Sequence, residues 1–151
     1  VEKFISIQDL TKFVQSQDGD LKVWVSLDGT ESVFEHVALL NVIKNRKWRT
    51  EVVVAGVASP IGFMSADKLT MEDGALLLVR APFVCVHGGK KAIMDAINSL
   101  ADAEALMIEA YSSKRGVDMD AIRSAIADGE DHFFDTDAAI AIGLADGRSA
   151  Q

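Results

Sequence analysis

Residues 51–57 read Glu-Val-Val-Val-Ala-Gly-Val, an almost unbroken apolar run. Such a run suits a central strand whose two faces are both covered, and parallel sheets flanked by helices produce that environment. Around it the hydrophobic pattern alternates between two periods. In Leu21–Leu27 the apolar residues Leu21, Val23, Val25 and Leu27 fall on one face and Lys22, Trp24 and Ser26 on the other, so this segment is a strand. Asp28–Ser32 follows as a turn. Ser32–Arg46 then carries Phe34, Val37, Ala38 and the Leu40–Ile43 group at helical spacing, and ends in basic residues that suit a helix C-terminus. Lys68–Met71 and Ala75–Ala81 are two further strands, separated by the turn signal Asp73-Gly74.

The second half is helical. Lys90–Tyr111 aligns Ile93, Ile97, Leu100, Met107 and Tyr111 in one stripe, Gly116 stops the run, and Asp118 is the expected N-cap of another helix. His132–Asp146 is a short strand, an acidic helix start and a helix ended by Gly143. Strands alternating with helices predict an α/β fold with a mostly parallel central sheet, right-handed crossovers and flanking helices. The 151 residues are expected to form one domain, and 49% hydrophobic composition supports a packed core. Val1 is not an initiator residue and Asp146–Gln151 is an abrupt end, which suits a piece of a longer protein.

Charge and cysteine usage narrow the function classes. A net charge of −8 argues against nucleic-acid binding, which needs a basic stripe; the runs Lys44–Arg49 and Gly88–Lys91 read as a solvated helix end and a loop. Cys85 is the only cysteine, so no internal disulfide framework exists and a reducing compartment is expected. No apolar run approaches the roughly 18–20 residues of a membrane span, and Val1–Leu10 lacks the basic-then-apolar order of a secretory leader. There is no phosphate loop and no zinc spacing, so no cofactor or metal is expected. The acidic group Asp128, Glu130, Asp131, His132, Asp135 and Asp137 reads as a helix cap and a solvated loop.

Val52–Lys68 raises the question of chemistry. It reads as a buried strand, a small-residue turn with Ser59, then a short helix starting near Ser59. Serine at an N-cap followed by proline at the first helical position is a favoured helix start. The same layout also presents a nucleophile in several hydrolase folds.

Four stretches, in order, carry a family resemblance: Val23–Lys44, Val54–Pro82, Pro82–Gly116 and Asp118–Asp146. They resemble the strand ending in Asn-Ser-Pro-Gly-Gly, the Gly-x-Ala-Ala-Ser turn with its Ile-His-x-Pro strand end, the long helix with Tyr-x-x-x-x-Gly, and the Gly-Leu-x-Asp ending of the Clp proteolytic-subunit family. That family is part of the crotonase-like superfamily, and the phage head-maturation (prohead) branch looks most similar. The resemblance covers roughly residues 20–146 and implies a spiral of ββα units. It further implies a serine endopeptidase that assembles into rings, acting on a polypeptide substrate or on capsid and scaffold proteins, in the bacterial cytoplasm or the phage prohead.

Carried over residue by residue, the family's site is altered. Counted from Gly56, the family serine falls on Pro60; counted back from Ala66-Asp67, the segment is shorter than the phage pattern, which would move Ser59 into the nucleophile's place. Proline has no N–H. Pro60 therefore either replaces the serine or removes one oxyanion donor, a loss of about 100- to 1000-fold in rate. The family's Gly-Gly pair corresponds to a turn with Gly29 alone and Glu31 nearby, and a carboxylate beside a developing oxyanion is unfavourable. Arg80 stands where the family has its histidine, and arginine stays protonated at neutral pH. His87, in the following loop, is the candidate base; His36, expected on a helix flank, and His132 have weaker claims. Asp131 matches the orienting aspartate, with Asp128 as the fallback. Without the histidine, Asp131 is expected to pair with Arg80.

Three other readings stand beside the peptidase: a pseudoprotease serving as an assembly or scaffolding subunit, a Ser-Lys peptidase of the signal-peptide-peptidase-A or lambda type using Lys114, Lys90 or Lys91, and a crotonase-like acyl-CoA enzyme. Ala92–Tyr111 is the expected interface helix of a homo-oligomer.

Overall fold

The computed structural model describes residues 6–27 and 31–149. Helix α1 (Ile7–Ser16) leads into strand β1 (Leu21–Val25), helix α2 (Val33–Asn45), strands β2 (Thr50–Val54) and β3 (Val57–Ala58), and a 3-10 turn at Ile61–Phe63. Strands β4 (Lys68–Met71) and β5 (Leu76–Val79) follow, then the long helix α3 (Lys90–Ser112), α4 (Met119–Ala127), β6 (His132–Phe134), α5 (Thr136–Ala141) and β7 (Gly147–Arg148).

The apolar run at residues 51–57 splits into β2 and β3, which belong to different sheets. The first sheet has the order β1-β2-β4-β7 and every pairing in it is parallel. The second has the order β3-β5-β6, with β3 parallel and β6 antiparallel to β5. The expected α/β architecture, a mostly parallel sheet flanked by helices, is therefore observed. Val52 shows why the run is apolar. It pairs with Val23 on one side and Leu69 on the other, and no part of it reaches solvent. In β1, on the sheet edge, only Val23 and Val25 turn inward while Trp24 faces out.

The chain passes from β2 to β3 under the end of β1. Ala55 donates to the Val25 carbonyl and Leu27 to the Val57 carbonyl. A Cβ at Gly56 would collide with the Ser26 hydroxyl, so any larger residue would have to displace that side chain.

Helix α2 starts at a capping box. The Ser32 hydroxyl accepts from the Glu35 N–H, and the Glu35 carboxylate accepts from the Ser32 N–H. Its buried face carries Val33, His36, Leu39, Leu40 and Ile43. The helix end is not merely solvated, as the basic run suggested. Arg46 donates from Nε to the Thr50 hydroxyl (2.9 Å) and from its two Nη atoms to the carbonyls of Val14 (3.0 Å), Gln17 (2.7 Å) and Gly19 (2.6 Å). One guanidinium thus closes the C-terminal end of α1 onto the entry to β2.

One sequence expectation is corrected. The short helix at Ser59 is a 3-10 turn whose N-cap is Pro60 in the αR region, with no side-chain cap bond; Ser59 is not its cap. The stripe on α3 is buried only in its second half, at Ala103, Met107, Ala110 and Tyr111. Ile93, Met94 and Ile97 are exposed, as are Phe83, Val84 and Val86 in the segment leading to the helix.

Candidate active site

Ser59 follows β3, and the parallel pairing of Ala58 with Leu77 sets it beside the C-terminal end of β5. Arg80 is the first residue past that end. The antiparallel pairing of Val79 with His132 brings Asp131, the residue before β6, level with Arg80. Strand register alone thus creates the pair that the sequence predicts: Arg80 Nη1 lies 3.5 Å from Asp131 Oδ2. The guanidinium also sits over the Phe83 ring, 4.7 Å from its centroid.

Ser59 and Arg80 open onto a cavity of about 330 Å³. Glu31, Ser32 and His36 also border it, with Glu31 Oε2 and both His36 ring nitrogens closed off, and most of the remainder is apolar, including Ile61, Leu78 and Met107. His87 is exposed and does not line this cavity. The segment between Ala81 and Gly89 that carries it forms no regular structure. Gly29 lies outside the described residues. His132 binds both carboxylate oxygens of Asp128 at 2.9 Å, and this contact holds Asp128 below the usual carboxylate range. Neither Asp128 nor His132 lines the cavity.

The histidine that does reach the cavity is His36. It is 2% exposed, and neither ring nitrogen has a hydrogen-bond partner among the described residues. The nearest carboxylate oxygen, Glu31 Oε2, is 3.9 Å from Nε2. Burial lowers the His36 pKa from 6.5 to about 4, so the ring is neutral at pH 7. His36 is not on the helix flank. Its spacing from Val33 and from Leu39 and Leu40 puts it on the buried stripe, a signal present in the sequence. Gly62 makes room for it: a Cβ there would stand 3.2 Å from His36 Nδ1 and 3.0 Å from a Leu39 methyl.

Tyr111 is a site neighbour that the sequence motifs do not indicate. Its ring is fully buried, and its hydroxyl lies next to the Ser59 side chain. Burial raises the phenol above its ordinary pKa, so it is neutral and cannot serve Ser59 as a phenolate base.

The lysines of the Ser-Lys reading lie elsewhere. Lys114 donates to the Leu144 carbonyl at 2.7 Å and pairs with Asp146 at 3.2 Å, while Lys91 is on the surface with Asp95. Lys90 is exposed at the start of α3, and none of the three lines the cavity. No group of three or more metal-ligating side chains occurs among the described residues, and no helix there is long and apolar enough to cross a membrane.

Ser59, Arg80 and Asp131 therefore lie at neighbouring strand ends. No curated protein matches the chain at the level required of a relative. A family model described as Clp protease matches residues 6–148. Spanning nearly all of the sequence and agreeing with the parallel α/β architecture, that match means the chain belongs to the Clp protease family.

Proposed function

We propose that this chain is a Clp-family protomer that binds polypeptide at the cavity beside Ser59, assembles with copies of itself, and has lost the family's serine–histidine–aspartate acyl transfer. The observation that carries this reading is the Arg80–Asp131 pair at 3.5 Å. A general base must accept the serine proton, and a guanidinium remains protonated throughout the working pH range. The aspartate that would orient a histidine is engaged by a cation instead. Pro60 adds to this, because the residue after Ser59 has no N–H to offer an oxyanion.

The setting we propose is phage or prophage head maturation, with capsid or scaffold protein as the polypeptide partner and the protein acting in assembly. The exposed apolar residues at the start of α3, Ile93, Met94 and Ile97, and those just before it, Phe83, Val84 and Val86, support self-association on that face. The family resemblance implies a ring built through the same helix.

A second reading keeps peptidase activity, with Ser59 as nucleophile and His36 as its base. It is favoured by one fact: both side chains line the same cavity. An imidazole with a pKa of about 4 is a weak base, however.

One experiment separates the two. Incubation with a fluorophosphonate probe, followed by intact-mass measurement, is expected to leave the protein unmodified. Stoichiometric labelling that disappears in Ser59→Ala would refute the inactive reading. Labelling lost in both Ser59→Ala and His36→Phe would establish the second.

A further inference from the structure

Arg80 is the one permanent cation among the described residues that line the cavity beside Ser59. Its guanidinium lies over the Phe83 ring, 4.7 Å from the centroid. Phe83 is itself a cavity residue and is largely exposed, so the cation stands where the cavity meets solvent. We infer that this cavity receives the C-terminal residue of a polypeptide, with an apolar side chain inside and the terminal carboxylate on Arg80 in exchange for Asp131. This rests on the polypeptide-binding reading above and names the part of the polypeptide that the site takes.

Asp131 is an exchangeable partner. Its Oδ2 is 3.5 Å from Arg80 Nη1, against about 2.7–2.9 Å for a tight charge-assisted bond. The Asp131 side chain is half exposed, so water screens the pair. It does not line the cavity, and it leaves the apolar interior unfilled. A carboxylate carried on an apolar group gains on both counts. Its charge meets the guanidinium fork, and its hydrocarbon leaves water for the wall of Ile61, Leu78, Leu100 and Met107. The interior of about 330 Å³ suits one branched or aromatic side chain. Other groups lack one of the two gains. An ammonium meets the like charge of the guanidinium. An internal peptide group is neutral and forms the weaker kind of bond. Glu31 also borders the cavity, but its side chain is 9% exposed against 24% for Arg80, so Arg80 is the charge that an entering ligand meets.

The test compares ligands that differ only in the end group. An N-acetylated pentapeptide ending in leucine with a free carboxylate is titrated by calorimetry against the same peptide amidated, and octanoate against octanamide. The Met107 methyl shift, assigned by its loss in Met107→Leu, reports entry into the cavity. The peptide acid is expected to bind at least about tenfold more tightly than the amide, with the preference falling to about twofold or less in Arg80→Gln. Asp131→Asn, which removes the competing carboxylate, is expected to tighten the acid by about threefold and leave the amide unchanged. Equal binding of the two peptides, a preference that survives Arg80→Gln, an acid affinity unmoved by Asp131→Asn, or acid binding that leaves the Met107 methyl in place would overturn the inference, with polypeptide binding itself intact. Octanoate bound in preference to octanamide, while neither pentapeptide binds, would uphold a site for apolar carboxylates and overturn the polypeptide reading instead. Failure of all four ligands to bind would overturn both.

Discussion

Lowering the pH should destabilise this fold through His36 in particular. In the folded protein the ring titrates at about 4, against 6.5 for an unburied histidine, because burial removes it from water. Below pH 6.5 the unfolded chain binds a proton that the folded chain does not. Stability is therefore complete above about pH 6.5, falls as the pH drops, and stops falling through this group near pH 4. The whole gap corresponds to about 3 kcal/mol at about 1.4 kcal/mol per pH unit. Between pH 7.5 and 5.0 the linkage relation assigns about 2 kcal/mol of it. Glu31, 3.9 Å from Nε2, would favour the imidazolium once formed, so this is an upper figure. The assay is urea unfolding of the wild type and of His36→Phe at both pH values, with stability extrapolated to water. Other carboxylates titrate alike in both proteins, so the difference between the two pH dependences isolates His36. His36→Phe should lose about 2 kcal/mol less than wild type over that interval. Parallel pH profiles for the two proteins would refute the claim that His36 is buried and neutral.

Arg46→Ala should cost about 2–3 kcal/mol in urea unfolding, since three carbonyls and the Thr50 hydroxyl lose a charged donor; a change under about 0.5 kcal/mol would mean Arg46 behaves as an ordinary surface residue. Gly62→Ala should destabilise by about 1–3 kcal/mol through overpacking against Leu39 and His36, and a neutral result would show that α2 and the turn can separate freely. Arg80→His places an imidazole opposite Asp131, yet fluorophosphonate labelling of Ser59 should stay absent because Pro60 still offers no N–H; labelling in this variant would show that the missing base alone silences the site.

Much of the fold was legible because it is written in local patterns. The alternation in β1, the Asp118 cap of α4 and the turn at Gly74 each depend on a few neighbouring residues. The Arg80–Asp131 pair was also legible, since motif order fixed both positions and β5–β6 register then had to bring them level. The Ser59 cap failed because its helix is only one 3-10 turn, for which Pro60 itself supplies the αR start. Helix α3 carried an apolar stripe from end to end, but its 23 residues extend about 35 Å. The core covers only its second half.

What the sequence determined by itself was the parallel α/β architecture and the resemblance to the Clp protease family, which the family model bears out. Only the tertiary structure decided which groups share the cavity. His87 stays in solvent, while His36 and Tyr111, on separate helices, reach the region of Ser59. The physical reason is that periodicity reports which face of an element is buried, whereas the neighbours of a buried polar atom depend on how several elements pack around it.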